Sequence, residues 1–343
     1  NSHRAGSIVV MNIENGHILC IASTPSYNPN KIFKKPNKEY WDSILQNNLS
    51  PLTFRSVQGL YAPGSTFKMI VAIAGLYYGV IDKNTSHFCS GKISLGDRLY
   101  HCWKNNGHGS MNIEKAIQES CDVFFYEISK KIGIDKIAKV ANDFGLGRIY
   151  DLPLGNQKIG IIPNKKWKKE KLGESWYPGE TLISAIGQGF VLTNPLQLAN
   201  MTSIIASDGK IVEPKIVNDG NYKNFTNLNK YSEAIKIVKK SMFKVVNEIK
   251  GTAYKSRSDE IIFSGKTGTS QVRRITVAER ESDDFRKKEI EWNKRDHALF
   301  VGYMPHDKPK YALSVVIEHG GSGASTAAPI AKQIFQFINK TNI

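Results

Sequence analysis

Tyr61-Ala62-Pro63-Gly64-Ser65-Thr66-Phe67-Lys68 runs straight into Met69 to Val80, MIVAIAGLYYGV. Pro63-Gly64 ends whatever precedes it. The residues after Lys68 are apolar on nearly every face, so the spacing predicts a helix through the protein interior. Residues i and i+3 share a helix face, which brings Ser65 Oγ and Lys68 Nζ within reach of one another. A lysine on such a helix is partly desolvated, which favours the neutral amine. A neutral amine beside a serine is a base beside a nucleophile. Ser-x-x-Lys alone is a weak signal, since the same residues also read as a helix start with Ser65 as cap and Lys68 in water.

The 343 residues, 41% of them hydrophobic, suffice for a single large α/β unit with a helical subdomain and do not describe a disordered chain. Lys and Arg number 47 against 31 Asp and Glu, a net charge of +16 that suits nucleic acid, an anionic membrane surface or an anionic polymer. The lysines are scattered, however, and clusters such as Lys165-Lys166-Trp167-Lys168-Lys169 are short. No nucleic-acid motif accompanies them, so no nucleic-acid partner is expected. No stretch approaches the ~18 to 20 apolar residues that cross a bilayer.

Ser7 to Asn12 and His17 to Ser23 are β-rich runs joined through Asn15-Gly16, a hairpin signal. Residues 24 to 60 read as irregular. Asn112 to Ile132 has helical spacing from an Asn cap, and further helices are expected at Asp135 to Phe144, Pro195 to Ala206 and Ser232 to Ile249. Beyond Ile261 the period changes: Ile261 to Ser270, His297 to Met304 and Tyr311 to His319 read as strands, and Ala327 to Ile338 as a closing helix. Both chain ends, about 5–25 and 258–343, are thus expected to build one mostly antiparallel sheet flanked by helices. A mainly helical part covers about 60–250. Between Arg273 and Arg295 a charge-dense stretch reads as a long excursion.

Two further segments bear on Ser65. Ser120-Cys121-Asp122 sits within the Asn112 helix pattern, where Ser120 could relay a proton and Asp122 orient a lysine, or Ser120 could simply bond a helix carbonyl with Asp122 in water. Gly265-Lys266-Thr267-Gly268-Thr269 lies on the first late strand. Its glycines allow close approach, its hydroxyls and Lys266 suit a carboxylate, and the N–H groups of Thr269 and Ser65 suit an oxyanion hole. The bland alternative is a strand with a glycine bulge.

Ser65-Thr66-Phe67-Lys68, Ser120-Cys121-Asp122 and Lys266-Thr267-Gly268-Thr269, in that order, resemble the motifs of penicillin-binding proteins and class A β-lactamases. With Gly187-Gln188-Gly189-Phe190, Thr193-Asn194-Pro195 and His297 to Tyr303, the chain is most similar to class B penicillin-binding proteins of the penicillin-binding protein 2 branch. Asp122, where many relatives carry Asn, fits that branch. The resemblance implies a β-lactamase/transpeptidase-like α/β fold as one transpeptidase domain over 1–343, with an N-terminal membrane anchor and pedestal outside the given sequence. It implies D,D-transpeptidation of peptidoglycan stem peptides through a Ser65 acyl-enzyme in cell elongation, with β-lactams trapping Ser65. Lys68 would be the base, Ser120 the proton relay and Lys266 the positive field. Thr267, Gly268 and Thr269 would hold the substrate, and the acyl transfer would require no cofactor. The implied partners are a shape and elongation type glycosyltransferase and the elongation machinery, with the domain in the periplasm of a single-pass inner-membrane protein. A D,D-carboxypeptidase or β-lactamase with water as acceptor, or a penicillin-sensing domain, would carry the same motifs.

Cys89, Cys102, His108 and Cys121 follow the pattern C-x12-C-x5-H-x12-C, and thiolates with imidazole suit tetrahedral Zn2+. Some relatives bind a metal through an Asp, His and Cys at corresponding places, so Cys102 would replace an Asp ligand, with His101 as a competing ligand. A Cys89–Cys102 disulfide or three buried thiols are the other readings. Cys20 reads as core.

Overall fold

The computed structural model describes residues 4–34, 37–217, 225–273 and 290–341, so most of the charge-dense excursion lies outside the described residues. Strands β1 (Gly6–Asn12) and β2 (Ile18–Thr24) form the expected hairpin. Asn12 Oδ1 accepts from the N–H groups of Glu14 and Asn15, which curls the chain into the turn. The segment read as irregular holds three short helices: α1 (Asn30–Phe33), α2 (Lys38–Leu45) and α3 (Arg55–Gln58). A 3₁₀ turn, Gly64–Phe67, then feeds α4 (Lys68–Tyr77), buried from Lys68 to Gly75. The interior helix is therefore as expected.

The middle of the chain is less helical than its sequence suggests. Strands β3 (Ser86–Cys89), β4 (Lys92–Leu95), β5 (Arg98–His101) and β6 (Gly109–Asn112) make two ribbons, β3 with β6 and β4 with β5. The single helix expected over Asn112 to Ile132 is two, α5 (Ile113–Gln118) and α6 (Asp122–Ile132), because Ser120 between them adopts φ +57. A left-handed residue cannot continue a right-handed helix. Asn112 caps α5 as expected, accepting from Lys115 N–H.

Helices α7 (Ile134–Asp143), α8 (Lys165–Leu172), α9 (Pro178–Ala185) and α10 (Pro195–Ala206) follow, then the short β7 (Lys210–Ile211) and β8 (Thr226–Asn227), and α11 (Ser232–Asn247). Strands β9 (Ser264–Ser270), β10 (His297–Met304) and β11 (Tyr311–Ile317) and helix α12 (Ala328–Thr341) complete the chain. The main sheet is antiparallel in the order β2-β1-β11-β10-β9, so the first hairpin and the last strands share one sheet and β9 is its edge.

Alternation along the strands decides which helix covers which face. Ser314 Oγ donates to Pro195 O, placing α10 on the Ser314 face. Phe300 and Val315 point the other way, and there the Phe263 ring packs at a tilt against Phe335 of α12, 5.3 Å between centres. Every residue of α10 is buried, with the sheet on one side and the helical part of the chain on the other.

Candidate active site

The Ser65 turn leans on the edge strand. Gly64 has φ +55, and a Cβ there would stand 2.5 Å from Thr269 O, so only glycine allows this approach. Gly268 completes the fit from the strand side, since a Cβ on it would meet Thr66 Cγ2 at 2.9 Å and Pro63 O at 3.0 Å. Gly64 N–H donates to Gly187 O at 2.9 Å, and Gln188 Nε2 donates to Thr269 O at 3.0 Å. A strand residue's N–H and C=O point to the same edge. The Gln188 bond therefore marks Thr269 as facing out of the sheet, on the side where the Ser65 turn sits.

Ser65 and Lys68 span a 3₁₀ turn, in which i and i+3 lie one above the other. Lys68 Nζ donates to Asp122 Oδ1 at 2.6 Å, Ser120 O at 2.9 Å and Ser120 Oγ at 3.2 Å. That uses all three donors of an ammonium. Among the described residues Lys68 Nζ makes no hydrogen bond to Ser65; the link between the two is the Lys68 backbone N–H, which donates to Ser65 O. Lys68 also lies 5.5 Å from the centre of the Phe125 ring.

The helix break makes this geometry. At φ +57 Ser120 turns its carbonyl and its hydroxyl toward Lys68, while Asp122 starts α6. Lys266 Nζ comes from β9, donating to Ser120 Oγ at 2.9 Å and to Thr267 O at 3.1 Å. Ser120 Oγ thus accepts from two lysines, which occupies both its lone pairs and leaves its own hydrogen free. Both lysines are fully buried. Burial pushes Lys266 well below the usual lysine range, and the Lys68 charge adds to the effect. Burial also pushes the Asp122 carboxyl up, against the pull of Lys68.

A family model described as the penicillin binding protein transpeptidase domain matches residues 6–336. The chain belongs to this family. Peptidoglycan D,D-transpeptidase MrdA of Acinetobacter baumannii is 36% identical to it over 97% of this chain and 50% of that protein. Among solved structures, the complex of PBP2 with MreC from Helicobacter pylori matches at a TM-score of 0.89 and 32% identity, over 98% of this chain and 60% of that one. PBP2 of Pseudomonas aeruginosa matches at 0.84 and 34%, over 97% of this chain and 70% of that one. The chain spans about half the length of the curated relatives it matches.

Beside the three penicillin-binding motifs lies the thiol cluster. Ligand atoms of Cys89, Cys102, His108 and Cys121 all fall within 4.8 Å of one another, and His101 is not among them. His108 Nδ1 faces Cys89 Sγ at 3.6 Å and Cys102 Sγ at 3.5 Å. A tetrahedral zinc with bonds of about 2.0 to 2.3 Å spaces its ligand atoms by roughly 3.3 to 3.8 Å; both His108–thiol distances match this, and the 4.8 Å spread of the whole set needs to tighten by about 1 Å. All four cysteines are free, and Cys20 is half-buried against the core. Hydrogen bonding from Cys121 pulls the Cys102 thiol well below the usual thiol range, while that same contact, with burial, pushes Cys121 up.

Several residues around the motifs were not singled out by their sequence. Trp103 N–H donates to Asp122 Oδ2 at 2.8 Å, and its indole N–H reaches Ser120 O at 3.1 Å, so the residue after Cys102 holds both ends of the middle motif. Asp122 N–H in turn reaches Cys102 Sγ at 3.4 Å. Thr252 Oγ1 lies 2.7 Å from Thr267 Oγ1. Trp103 could have been found by its place beside Cys102; nothing in the sequence advertises Thr252.

Proposed function

We propose that this chain is the acyl-transfer domain of an elongation-type peptidoglycan D,D-transpeptidase. The observation that carries it is Ser120 Oγ bridging Lys68 and Lys266, at 3.2 and 2.9 Å, in the cleft walled by the Ser65 turn and β9. Ser65 Oγ attacks the carbonyl of the penultimate D-Ala of a stem peptide, the ester C–O bond forms, and the C–N bond to the terminal D-Ala breaks. Lys68 first gives a proton to Asp122 along their 2.6 Å bond, an acceptance favoured by the raised Asp122 carboxyl, and then takes the Ser65 proton. Ser120 passes its free hydrogen to the departing nitrogen and is reprotonated from Lys68. Asp122 then returns the borrowed proton to Lys68, so the net transfer is one proton from Ser65 to the amine of D-Ala, delivered through Lys68 and Ser120. Thr267 and Thr269 bind the substrate carboxylate, Gly268 lets the backbones close, and the N–H groups of Ser65 and Thr269 stabilise the oxyanion. An amine of a neighbouring stem resolves the ester into a cross-link.

The substrates are accordingly stem peptides, and β-lactams are their mimics. The partners are an elongation-type glycosyltransferase and its machinery, met through regions outside this chain. The Helicobacter pylori relative, solved with MreC, supports that placement. A periplasmic domain on a single-pass inner-membrane anchor follows from the same reading. Among the described residues no helix is long and apolar enough to cross a membrane. Fluorescent penicillin tests the proposal: Ser65→Ala should lose covalent labelling, and retained labelling overturns the assignment. A long-lived acyl-enzyme supports transfer to an amine, whereas rapid turnover of penicillin points to water as acceptor.

We also propose a structural Zn2+ held by Cys89, Cys102, His108 and Cys121, supported by the spacing of their ligand atoms. Bound there, the ion supplies rigidity: Cys121 lies between Ser120 and Asp122, and Cys102 receives the Asp122 N–H. No catalytic step needs it.

A further inference from the structure

We propose that Thr252 is a positioning residue for substrate carboxylate recognition, acting through Thr267; this rests on the transpeptidase reading of the same site. Thr252 lies between α11 and β9, on a turn fixed at two points. Its N–H donates to Gln118 O at 3.2 Å, and the next residue, Ala253, donates to Val245 O at 3.0 Å. Gln118 ends α5, two residues before Ser120, and its side chain is itself held by Glu248 Oε2 at 3.0 Å. Thr252 is therefore tied through its backbone to the middle motif and through its hydroxyl to the edge strand.

The 2.7 Å contact between Thr252 Oγ1 and Thr267 Oγ1 holds one hydrogen between two hydroxyls. If Thr252 donates, Thr267 keeps its own hydrogen for a ligand. An approaching carboxylate accepts only, so it selects that arrangement, Thr252 to Thr267 to carboxylate, and each bond in such a chain polarises the next. Thr267 is 7% exposed, so few other groups can orient it. Without the Thr252 hydroxyl the Thr267 rotor is free to turn its hydrogen away, and a bound carboxylate loses part of its donor set. The consequence is specific: discrimination for ligands that carry a carboxylate, not chemistry at the acyl carbon.

The test compares Thr252→Val, Thr252→Ala and Thr252→Ser with wild type in acylation by benzylpenicillin and by its methyl ester, which lacks the free carboxylate. Removing one such hydrogen bond should lower the second-order acylation constant for benzylpenicillin roughly tenfold in the Val and Ala variants. The loss should appear in the dissociation constant, with the limiting acylation rate unchanged. Thr252→Ser should restore the wild-type value, and the methyl ester should react equally with all four proteins. Wild-type reactivity of Thr252→Val or Thr252→Ala toward benzylpenicillin overturns the proposal, and so does an equal loss toward the ester, which marks a merely structural role. Ser65→Ala serves as the separate control. Labelling that survives in it sinks the transpeptidase reading itself, whereas its loss beside unaffected Thr252 variants sinks only the role given to Thr252.

Discussion

Lys68 Nζ and Asp122 Oδ1 stand 2.6 Å apart, joining the first residue of α4 to the first residue of α6, with the lysine side chain wholly out of water. An ion pair in such a place is a liability once broken, because the surviving charge keeps its desolvation cost without its partner. Asp122→Ala is expected to destabilise the domain by about 3 to 5 kcal/mol in urea unfolding and to abolish penicillin acylation. Asp122→Asn keeps the Trp103 contact and should fold better while remaining slow to acylate. A loss under about 1 kcal/mol for the alanine variant would contradict the pair's importance.

Gly64→Ala puts a methyl against Thr269 O and a non-glycine residue at φ +55. The Ser65 turn must then lift from β9. Displacement of a nucleophile by about 1 Å costs on the order of a hundredfold in rate, so acylation should fall by at least that much while melting temperature drops only a few degrees. Wild-type labelling kinetics in this variant would show that the contact does not set the nucleophile's position.

His297 predicts a pH response in stability. Burial first, and then the neighbouring His319, lower it from 6.5 to about 4. Its Nδ1 accepts the His319 backbone N–H at 2.9 Å, a bond that only a neutral imidazole can receive. The unfolded chain takes up this proton first as pH falls, so the stabilisation is complete above 6.5 and is lost on acidifying toward 4. Thermal melts across that range should slope downward more steeply for wild type than for His297→Gln, whose amide oxygen can still accept. Identical slopes would rule the residue out as the source.

Zinc removal offers a fourth test. Elemental analysis of protein purified without chelator should find one equivalent, and a strong chelator should lower the melting temperature together with the acylation rate. Cys121→Ser and His108→Ala should behave as the chelated wild type does. Metal-free protein with an unchanged melting temperature would return the cluster to three buried thiols beside a half-buried histidine.

Parts of this architecture are legible because local chemistry and global packing agree. Helix α10 begins at Pro195 behind the Asn194 cap, as a proline at the first helical position should, and β10 spans His297–Met304 as its apolar run indicates. The break at Ser120 was not legible, since the apolar period runs on through it and neither glycine nor asparagine marks the left-handed residue. The ribbons β3–β6 and β4–β5 are not legible either. Their strands have four residues each, too short for alternation to stand out, although Ile93, Leu95 and Tyr100 pack on the core, Met111 is buried, and the Cys and His cluster sits at the strand ends. The three motifs announced the site, but not that Lys68 is bound to Asp122 and Ser120 at rest, because that depends on distances between helices distant in the sequence.

The edge position of β9 gives the sheet an unfinished side. Unpaired strand edges invite other chains to add to them, and proteins usually blunt them with charge, bulges or cover. Here the border carries Lys266 and two glycines, and the Gln188 amide already occupies the Thr269 carbonyl. A peptide that docks alongside would do so as a sixth strand, held by main-chain groups whatever its side chains are. An extended peptide and a second copy of the chain would use the same row of backbone groups, and the burial of six of the seven β9 residues is what narrows access to it.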